Sequence, residues 1–493
     1  MDAGRALGVA QLYAHQAQTV AAALRGENVV LATGTASGKT LGYTLPVLHS
    51  LLRDPKATAL LLFPTKALAH DQIAAMKAWL AQPALQGAPI PLRPYDGDTP
   101  TRHRAQIRKE ARILVSNPDM LHIGILPHHP RWARFFRGLR YIVLDELHTY
   151  RGVFGGHVAN VLRRLLRIAH FHGANPQIVS ASATIANPAA LAERLTGRDF
   201  VTLGGEADAA AYGRRLVIFY NPPLLASPDA APRVRGKHNP ELGLRASAAD
   251  EAIQWTLRLL RADVQTILFA RSRLMVELLL SELRERAARL GDDPDVIQGY
   301  RGGYLPSERR VIERDLREGR TRVVVATNAL ELGIDIGALD AAILVGYPGS
   351  IAATHQQMGR AGRRAATSLS MMIATPSPLD QYLVAHPDYF FGRSPEEARI
   401  DPDTLSLLAS HVTCAAFELP FEAGEPFGSA DDIGELLAAL SAEGLLHRRE
   451  GRFTWVGESY PAQSVSLRTA TPDNVVIRTT EGNVIGTMDR PSA

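Results

Sequence analysis

The 493-residue sequence contains one cysteine, Cys414, and aromatic residues make up only 6% of it. A single thiol allows no disulfide bond within the chain and no zinc site made of cysteine ligands. The amino-terminal segment lacks the long apolar core of a secretory signal, and apolar runs such as 60–63 are far too short to cross a membrane. These absences argue against a disulfide-stabilised secreted protein and against a membrane partner, and they suit the reducing cytoplasm.

Net charge is also small, because 54 Lys and Arg residues nearly balance 50 Asp and Glu residues, which leaves a formal charge of +4. Such a mild basic excess permits binding to a polyanion but does not require it. Hydrophobic residues at 46% and charged residues at 21% are typical of a soluble globular protein. A chain of this length is expected to form about three domains.

Short apolar runs that end at turn residues alternate with longer helical stretches, a pattern typical of buried parallel strands in an α/β fold. The runs lie at 29–32, 59–63, 112–115, 141–144 and 178–181, and then at 266–270, 322–326, 342–345 and 371–374. We therefore predict two tandem parallel-sheet domains, at 1–205 and 249–395. The stretch 206–248, rich in Ala, Pro, Gly and Asn, is predicted to connect them and to have some local structure.

The pattern changes after the second domain. Helical stretches at 405–416 and 433–442 precede a strand-like run at 452–456, which follows a Glu-Gly turn. Two helices and a short β-ribbon predict a winged-helix module at 396–470. The final segment, 471–493, is predicted to begin a further C-terminal region that is cut off.

The strongest local pattern is a glycine-rich loop between a predicted strand and a predicted helix. It consists of Thr33, Gly34, Thr35, Ala36, Ser37, Gly38, Lys39 and Thr40. In this context a P-loop cradles phosphates with its backbone N–H groups, Lys39 reaches the β- and γ-phosphates, and the Thr40 hydroxyl binds Mg²⁺. The plainer alternative is a Gly/Ser turn that caps a helix. The sequence therefore predicts ATP and Mg²⁺ as cofactors.

A carboxylate pair, Asp145 and Glu146, follows the apolar run 141–144. Carboxylates at the end of a buried strand are costly unless they hold a cation or a proton. We predict that Asp145 binds the Mg²⁺ and that Glu146 activates the attacking water, as in a Walker B element. The alternative is an ordinary polar turn between a strand and a helix.

A third cluster places several cations on one short stretch, 355–364, in the second domain. Gln356, Arg360 and Arg363 are its predicted catalytic residues. Arg360 and Arg363 lie three residues apart and would share a face of a helix, from which they could act as arginine fingers on the γ-phosphate. A solvated basic helix is the alternative.

With these three motifs in this order, the chain resembles the superfamily 2 DEAD/DEAH-type helicases, which are built from two RecA-like domains. Lesser motifs extend the resemblance. Gln16 matches the glutamine that reads adenine, and Ser182 and Thr184 match the motif that couples hydrolysis to movement. The resemblance further implies nucleic-acid contacts at Pro64, Thr65, Lys66, Asn117, Pro118, Arg271, Ser272, Thr327 and Asn328.

Finer strings narrow the resemblance to the MrfA/YprA and Hrq group of DNA-repair helicases. They lie at 95–99, 145–150, 300–304 and 378–382. The group implies 3′-to-5′ movement on single-stranded or 3′-tailed DNA, and a cytoplasmic, nucleoid-associated repair protein whose repair partners are unknown. Its members usually carry a C-terminal four-cysteine zinc module, which one cysteine cannot supply.

Two functional alternatives stay open at this point, an RNA helicase of the same superfamily and a nucleotide-regulated scaffold that does not hydrolyse ATP. Two further clusters have simpler interpretations. His122, His128 and His129 could bind a metal, although a structural loop is the preferred interpretation. The basic helical face of Arg163, Arg164 and Arg167 is interpreted first as a solvated face and second as a nucleic-acid contact.

Overall fold

The computed structural model describes residues 2–34, 37–85, 89–183, 185–204, 213–225, 245–301, 304–333, 336–337, 339–362, 367–428, 430, 433–458, 460–468, 474–478 and 484–489. The chain forms two compact units. One comprises Met1–Thr33, Gly38–Asp208 and Glu397–Ala493, and the other comprises Gly34–Ser37 and Ala209–Glu396. None of the described helices is long and apolar enough to cross a membrane.

The first unit contains a parallel sheet in which the described residues form seven strands. They are β1 (Val29–Ala32), β2 (Thr58–Leu62), β3 (Leu92–Pro94), β4 (Ile113–Ser116), β5 (Leu139–Leu144), β6 (Gln177–Ser182) and β7 (Val201–Gly204). Their order across the sheet is β3-β4-β2-β5-β6-β1-β7. The central strands are buried on both faces, which explains why they are continuous apolar runs in the sequence.

Helices of the first unit cover this sheet. They are α1 (Asp2–Ala6), α2 (Ala14–Leu24), α3 (Thr40–Arg53), α4 (Lys66–Leu80), α5 (Thr101–Glu110), α6 (Pro118–Met120), α7 (Ala133–Arg137), α8 (Gly152–Phe171) and α9 (Pro188–Thr196). Between α6 and α7 the chain forms a π-helical turn, Leu121–Ile125, and a 3₁₀ stretch, Leu126–Trp132.

The second unit has a six-stranded parallel sheet in the order β10-β11-β9-β12-β13-β8, as far as its residues are described. The strands are β8 (Arg215–Tyr220), β9 (Thr266–Phe269), β10 (Ile297–Tyr300), β11 (Val323–Ala326), β12 (Ala341–Val345) and β13 (Ser368–Ile373). Its helices are α10 (Ala248–Arg261), α11 (Arg273–Arg289), α12 (Pro306–Arg317), α13 (Ile351–Met358), α14 (Pro378–Ala385) and α15 (Pro387–Phe391).

The sequence did not predict the four edge strands, β3, β7, β8 and β10. β8 lies inside the stretch 206–248 that was predicted to be a connection, and it pairs in parallel with β13. Both β7 and β8 expose residues along their length, so neither forms the uninterrupted buried run that marks a central strand. The predicted connection therefore includes one edge strand of the second sheet, Arg215–Tyr220.

The segment after the second sheet packs as part of the first unit. It contains α16 (Leu405–Glu418), β14 (Phe421–Glu422), α17 (Gly434–Ala442), β15 (Leu446–Arg449) and β16 (Arg452–Trp455). The three strands form an antiparallel sheet in the order β14-β16-β15. Both Glu450 and Gly451 have positive φ in the turn from β15 to β16, as a tight hairpin requires. The last described strands, β17 (Asn474–Arg478) and β18 (Val484–Asp489), form an antiparallel pair.

This helix-and-ribbon module, residues 400–468, contacts α8 through the basic face that was predicted to be solvated. Arg164 is fully buried and makes a two-point contact with the Glu418 carboxylate, with 3.0 Å between Arg164 Nε and Glu418 Oε2. Arg163 pairs with Asp403 at 2.8 Å and Arg167 with Glu425 at 2.5 Å. The solvated-face prediction is therefore wrong, because carboxylates about 250 residues away in sequence neutralise these arginines.

The Arg164–Glu418 pair lies where water is excluded. Burial alone would lower the pKa of Arg164, but the Glu418 carboxylate outweighs burial and raises it. Burial raises the pKa of Glu418, and the Arg164 guanidinium opposes that rise through its charge and its two hydrogen bonds. The pair therefore fixes the module on α8 as two matched charges.

The three histidines considered as metal ligands also contact the module. His129 Nε2 lies 3.0 Å from the Glu418 carbonyl oxygen, and the His128 ring stacks on Tyr460. Arg164 Nη1 lies 2.7 Å from His122 Nδ1 and can only donate, so His122 Nε2 donates to the Val465 carbonyl. Within the described part of the chain, no group of three or more His, Cys, Asp or Glu side chains could hold a metal ion.

We predict that the buried pair is essential for the stability of the first unit. Glu418→Gln leaves the Arg164 charge buried and unpaired, and should lower the free energy of unfolding by about 3–5 kcal/mol. Glu425→Gln is the matched control, because its partner Arg167 is partly exposed, and it should cost about 1 kcal/mol or less. Urea unfolding followed by tryptophan fluorescence measures both, and a cost of about 1 kcal/mol or less for Glu418→Gln would show that Arg164 needs no charged partner.

Candidate nucleotide and nucleic-acid sites

The first sheet brings the predicted nucleotide-binding residues to one edge. Thr33 follows β1, Asp145 follows β5, and Ser182 ends β6, which lies between β1 and β5 in the sheet. Parallel strands end at a common edge, so residues more than 100 positions apart in sequence meet there. The Thr33 N–H donates to the Ser182 carbonyl at 3.4 Å, which joins the ends of β1 and β6.

The Lys39 side chain folds back onto the start of the glycine-rich loop. Lys39 Nζ donates to the Thr33 carbonyl at 3.0 Å, and Ser37 Oγ donates to the Gly34 carbonyl at 3.0 Å. Gly38 has φ +76°, in the left-handed region that favours glycine. Thr40 begins α3, so the loop leads directly into a helix N-terminus, which favours bound anions. Thr35 and Ala36 lie outside the described residues.

Gln16, predicted to read adenine, also supports this loop. Its Nε2 donates to the Gly38 carbonyl at 2.9 Å, and its Oε1 accepts from the Tyr13 backbone N–H at 3.0 Å. The side chain is buried. A side chain at position 38 would start 2.6 Å from Gln16 Nε2, so the glycine and the glutamine fit each other. Gln16 thus bridges the start of α2 to the loop.

The carboxylate pair follows β5 with an unusual backbone. Glu146 has φ 50° and ψ 47°, a left-handed conformation that costs a non-glycine residue about 1–3 kcal/mol and occurs often at functional sites. Asp145 is buried, and Tyr43 on α3 donates its hydroxyl to Asp145 Oδ2 at 3.1 Å. Burial and the neighbouring Glu146 raise the pKa of Asp145 to about 7. A bound cation would remove the cost of this buried charge.

His148 joins the carboxylate pair to the end of β6, a role that sequence reasoning missed. The Ala183 backbone N–H donates to His148 Nδ1 at 3.2 Å, and the same nitrogen lies 3.5 Å from Glu146 Oε2. Burial lowers the pKa of His148 to about 4, so its ring is neutral at pH 7 and can accept this bond. Ser182 is buried next to Ala183, and Thr184 lies outside the described residues.

In the second unit, Arg360 is buried and contacts the segment that follows β11. Its Nη2 donates to the Glu331 carbonyl at 2.7 Å, and Gln357 Nε2 donates to the Glu331 carboxylate at 2.9 Å. Gln356 is buried on α13. This helix ends at Met358, so the prediction that Arg360 and Arg363 share a helical face is wrong for Arg360. Gly362, with φ +86°, has already left helical geometry, and Arg363 lies outside the described residues.

The predicted nucleic-acid contacts share one structural position. Thr65, Asn117, Ser272 and Thr327 each precede a helical segment, and each side chain accepts a backbone N–H from that segment's first turn. The four residues follow β2, β4, β9 and β11, so within each unit they lie at the carboxyl edge of the sheet.

The neighbours of these caps differ in exposure. Arg271, Ser272 and Asn328 are exposed, whereas Pro64 and Pro118 are buried against their strands. Lys66 is partly exposed and pairs with Asp98 at 2.7 Å. Hydroxyl, amide and cationic groups at helix starts can contact phosphates without reading base sequence.

Three family models match the chain. The DEAD/DEAH box helicase model covers residues 13–191, the helicase conserved C-terminal domain covers 251–365, and the winged helix domain of ATP-dependent helicase HRQ1 covers 400–470. These matches confirm the two RecA-like domains and the winged-helix module predicted from the sequence.

Two curated relatives resemble nearly the whole chain. Over 99% of its length it is 49% identical to the uncharacterized ATP-dependent helicase YprA of Bacillus subtilis. Over 94% of its length it is 40% identical to the ATP-dependent helicase HRQ1 of Saccharomyces cerevisiae. The chain spans 63% of the length of the first protein and 42% of the second.

Solved structures of the DUF1998 helicase MrfA have a similar fold. MrfA bound to DNA and AMPPNP is 48% identical, with a TM-score of 0.87 over 99% of this chain and 66% of that one. A further crystal structure of MrfA is 42% identical, with a TM-score of 0.75 over 100% of this chain and 68% of that one.

The bonds of Gln16 predict a nucleotide-binding defect that does not depend on the base. Gln16→Ala removes a buried hydrogen bond to the loop, worth about 1–2 kcal/mol, and should weaken ATP and GTP binding alike by about 5- to 30-fold. Gln18→Ala, an exposed change on the same helix, is the control. Titration with fluorescent nucleotides measures both, and a loss confined to ATP would instead show that Gln16 acts by reading adenine.

Proposed function

Because the chain belongs to the DEAD/DEAH box helicases, in the group that includes HRQ1 and MrfA, we propose that it is an ATP-dependent 3′-to-5′ DNA helicase or translocase that acts in DNA repair. One observation carries the proposal: the glycine-rich loop, the carboxylate pair and the end of β6 meet at one edge of the first sheet. The DNA substrate rests on the likeness to MrfA, which has been solved with DNA and AMPPNP.

In the proposed reaction, the backbone of Thr33–Gly38 and the Lys39 ammonium bind the phosphates of ATP. Thr40 and Asp145 would hold a Mg²⁺ ion, which would supply positive charge next to the phosphates. Magnesium fits these residues, because it needs only one or two protein oxygens besides the phosphates and water. The buried Asp145, with its raised pKa, gains most from a nearby cation.

Glu146 is proposed to orient and activate the attacking water, and Gln356, Arg360 and Arg363 to stabilise charge on the γ-phosphate. Ser182, Thr184 and His148 are proposed to couple hydrolysis to movement, since His148 contacts both Glu146 and Ala183. Loss of the γ-phosphate would move Glu146. The His148 side chain would then transmit this movement to the end of β6.

The nucleic-acid contacts are proposed at both carboxyl edges. Thr65 with Lys66 and Asn117 with Pro118 serve the first domain, and Arg271 with Ser272 and Thr327 with Asn328 serve the second. Capped helix starts bind a phosphate backbone without regard to base sequence, as a protein moving along a strand requires.

The roles of the two key nucleotide residues can be separated by substitution. Glu146→Gln keeps the shape of the side chain but loses the base, so it should bind ATP while hydrolysis slows by about 10²–10⁴-fold. Lys39→Ala should weaken both ATP binding and hydrolysis, since it removes the charge that reaches the phosphates. Glu193→Gln, an exposed change in the same domain, is the control. If the steady-state turnover of Glu146→Gln is close to that of the unsubstituted chain, Glu146 does not activate the attacking water.

Substrate and polarity need a separate experiment. We expect ATP-dependent unwinding of a duplex with a 3′ single-stranded tail, and no unwinding of a 5′-tailed or blunt duplex. Displacement of streptavidin from end-biotinylated single strands tests movement alone, and should be faster from the 5′ end. The opposite preference would contradict 3′-to-5′ travel, and stimulation of hydrolysis by RNA but not DNA would favour an RNA helicase.

A further inference from the structure

The last segment of the winged-helix module, which follows β16, lies against the chain that follows β4. Tyr460 Oη donates to the Ile123 carbonyl at 2.6 Å. His122 Nε2 donates to the Val465 carbonyl at 3.1 Å. Both contacts are made to the π-helical turn directly after Asn117–Met120, where the first domain is proposed to contact nucleic acid. Residues of the winged-helix module therefore lie next to one of the proposed nucleic-acid contacts of the first domain.

Arg468 lies at the end of this segment and is held from two sides. Its Nη2 is 3.3 Å from Asp119 Oδ2, and its guanidinium carbon lies 4.5 Å from the centre of the Phe154 ring at the start of α8. Even so, its side chain is 59% exposed, and that of Asp119 is 46% exposed. The guanidinium is thus ordered by its neighbours but still open to solvent.

Arg468 lies beside the proposed nucleic-acid contacts of the first domain. Asp119 is two residues beyond Asn117, at the carboxyl end of β4. The neighbouring strand β2 ends at the same edge, next to Thr65 and Lys66. A cation placed beside these groups can neutralise the next phosphate of a strand that passes over them.

We propose that Arg468 is a further nucleic-acid contact, supplied by the C-terminal module, that binds a backbone phosphate of the single strand. The inference rests on the proposed function, since it needs a strand bound at this edge. An exposed arginine–carboxylate pair contributes little in water, so Asp119 orients the guanidinium without preventing a phosphate from binding it. Five N–H donors in a planar fork let one arginine contact a carboxylate and a phosphate together.

The salt dependence of binding tests this assignment. Each neutralised phosphate of a single strand contributes about 0.7 to the slope of log K against log salt. Arg468→Ala should therefore weaken binding of fluorescein-labelled oligo(dT) several-fold and make the slope shallower by about 0.7. Arg468→Lys keeps the charge and should keep the slope. The titrations use the full 493-residue chain between about 50 and 200 mM salt.

Arg25→Ala is the matched control. Arg25 is 60% exposed, pairs with Glu27 at 2.9 Å, and precedes β1, at the opposite edge of the sheet. The Arg25→Ala variant also loses one positive charge from an exposed ion pair. Its slope of log K against log salt should therefore equal that of the unsubstituted chain. If Arg468→Ala weakens binding but leaves the slope unchanged, Arg468 only braces Asp119 and the proposal is overturned. If the unsubstituted chain does not bind oligo(dT), the proposed function itself fails, and this inference fails with it.

Discussion

The site depends on one constraint, which is that parallel strands all end at the same edge of their sheet. In the first unit this constraint brings the glycine-rich loop after β1, the carboxylates after β5 and the end of β6 together. The same edge carries the capped helix starts after β2 and β4. The sheet therefore brings the proposed nucleotide site and the proposed nucleic-acid contacts of the first domain to one edge.

The bond between His148 and Ala183 shows how closely these groups are packed. It crosses from the carboxylate pair to the end of β6, and it requires a neutral ring. Burial supplies that condition by lowering the pKa of His148 to about 4. The same burial raises the pKa of Asp145. Burial thus keeps the His148 ring neutral, so that it can accept a hydrogen bond. Burial also makes the Asp145 carboxylate costly, so that a nearby cation would stabilise it.

Sequence patterns predicted the elements whose environment is uniform. Central strands are buried on both faces, so they are apolar throughout and could be found without the structure. Edge strands such as β7 and β8 have one side in solvent, and their mixed residues resemble a loop. The glycine-rich loop and the carboxylate pair were predicted from local chemistry, whereas the residues at the capped helix starts were predicted from the resemblance to helicases. His148 was missed because one histidine after a carboxylate pair reveals nothing about the strand that it will contact.

The basic face of α8 marks the limit of such reasoning most clearly. Arginine is seldom fully buried, so three arginines on a helix are best interpreted as a solvated face unless their partners are known. Here the partners Asp403, Glu418 and Glu425 come from a module that follows the entire second domain. Placing two charges in a dry interface is costly, and only a well-matched partner offsets the cost. A module fixed in this way belongs to the first unit although it follows the second in sequence, and it is by this route that Arg468 reaches Asp119.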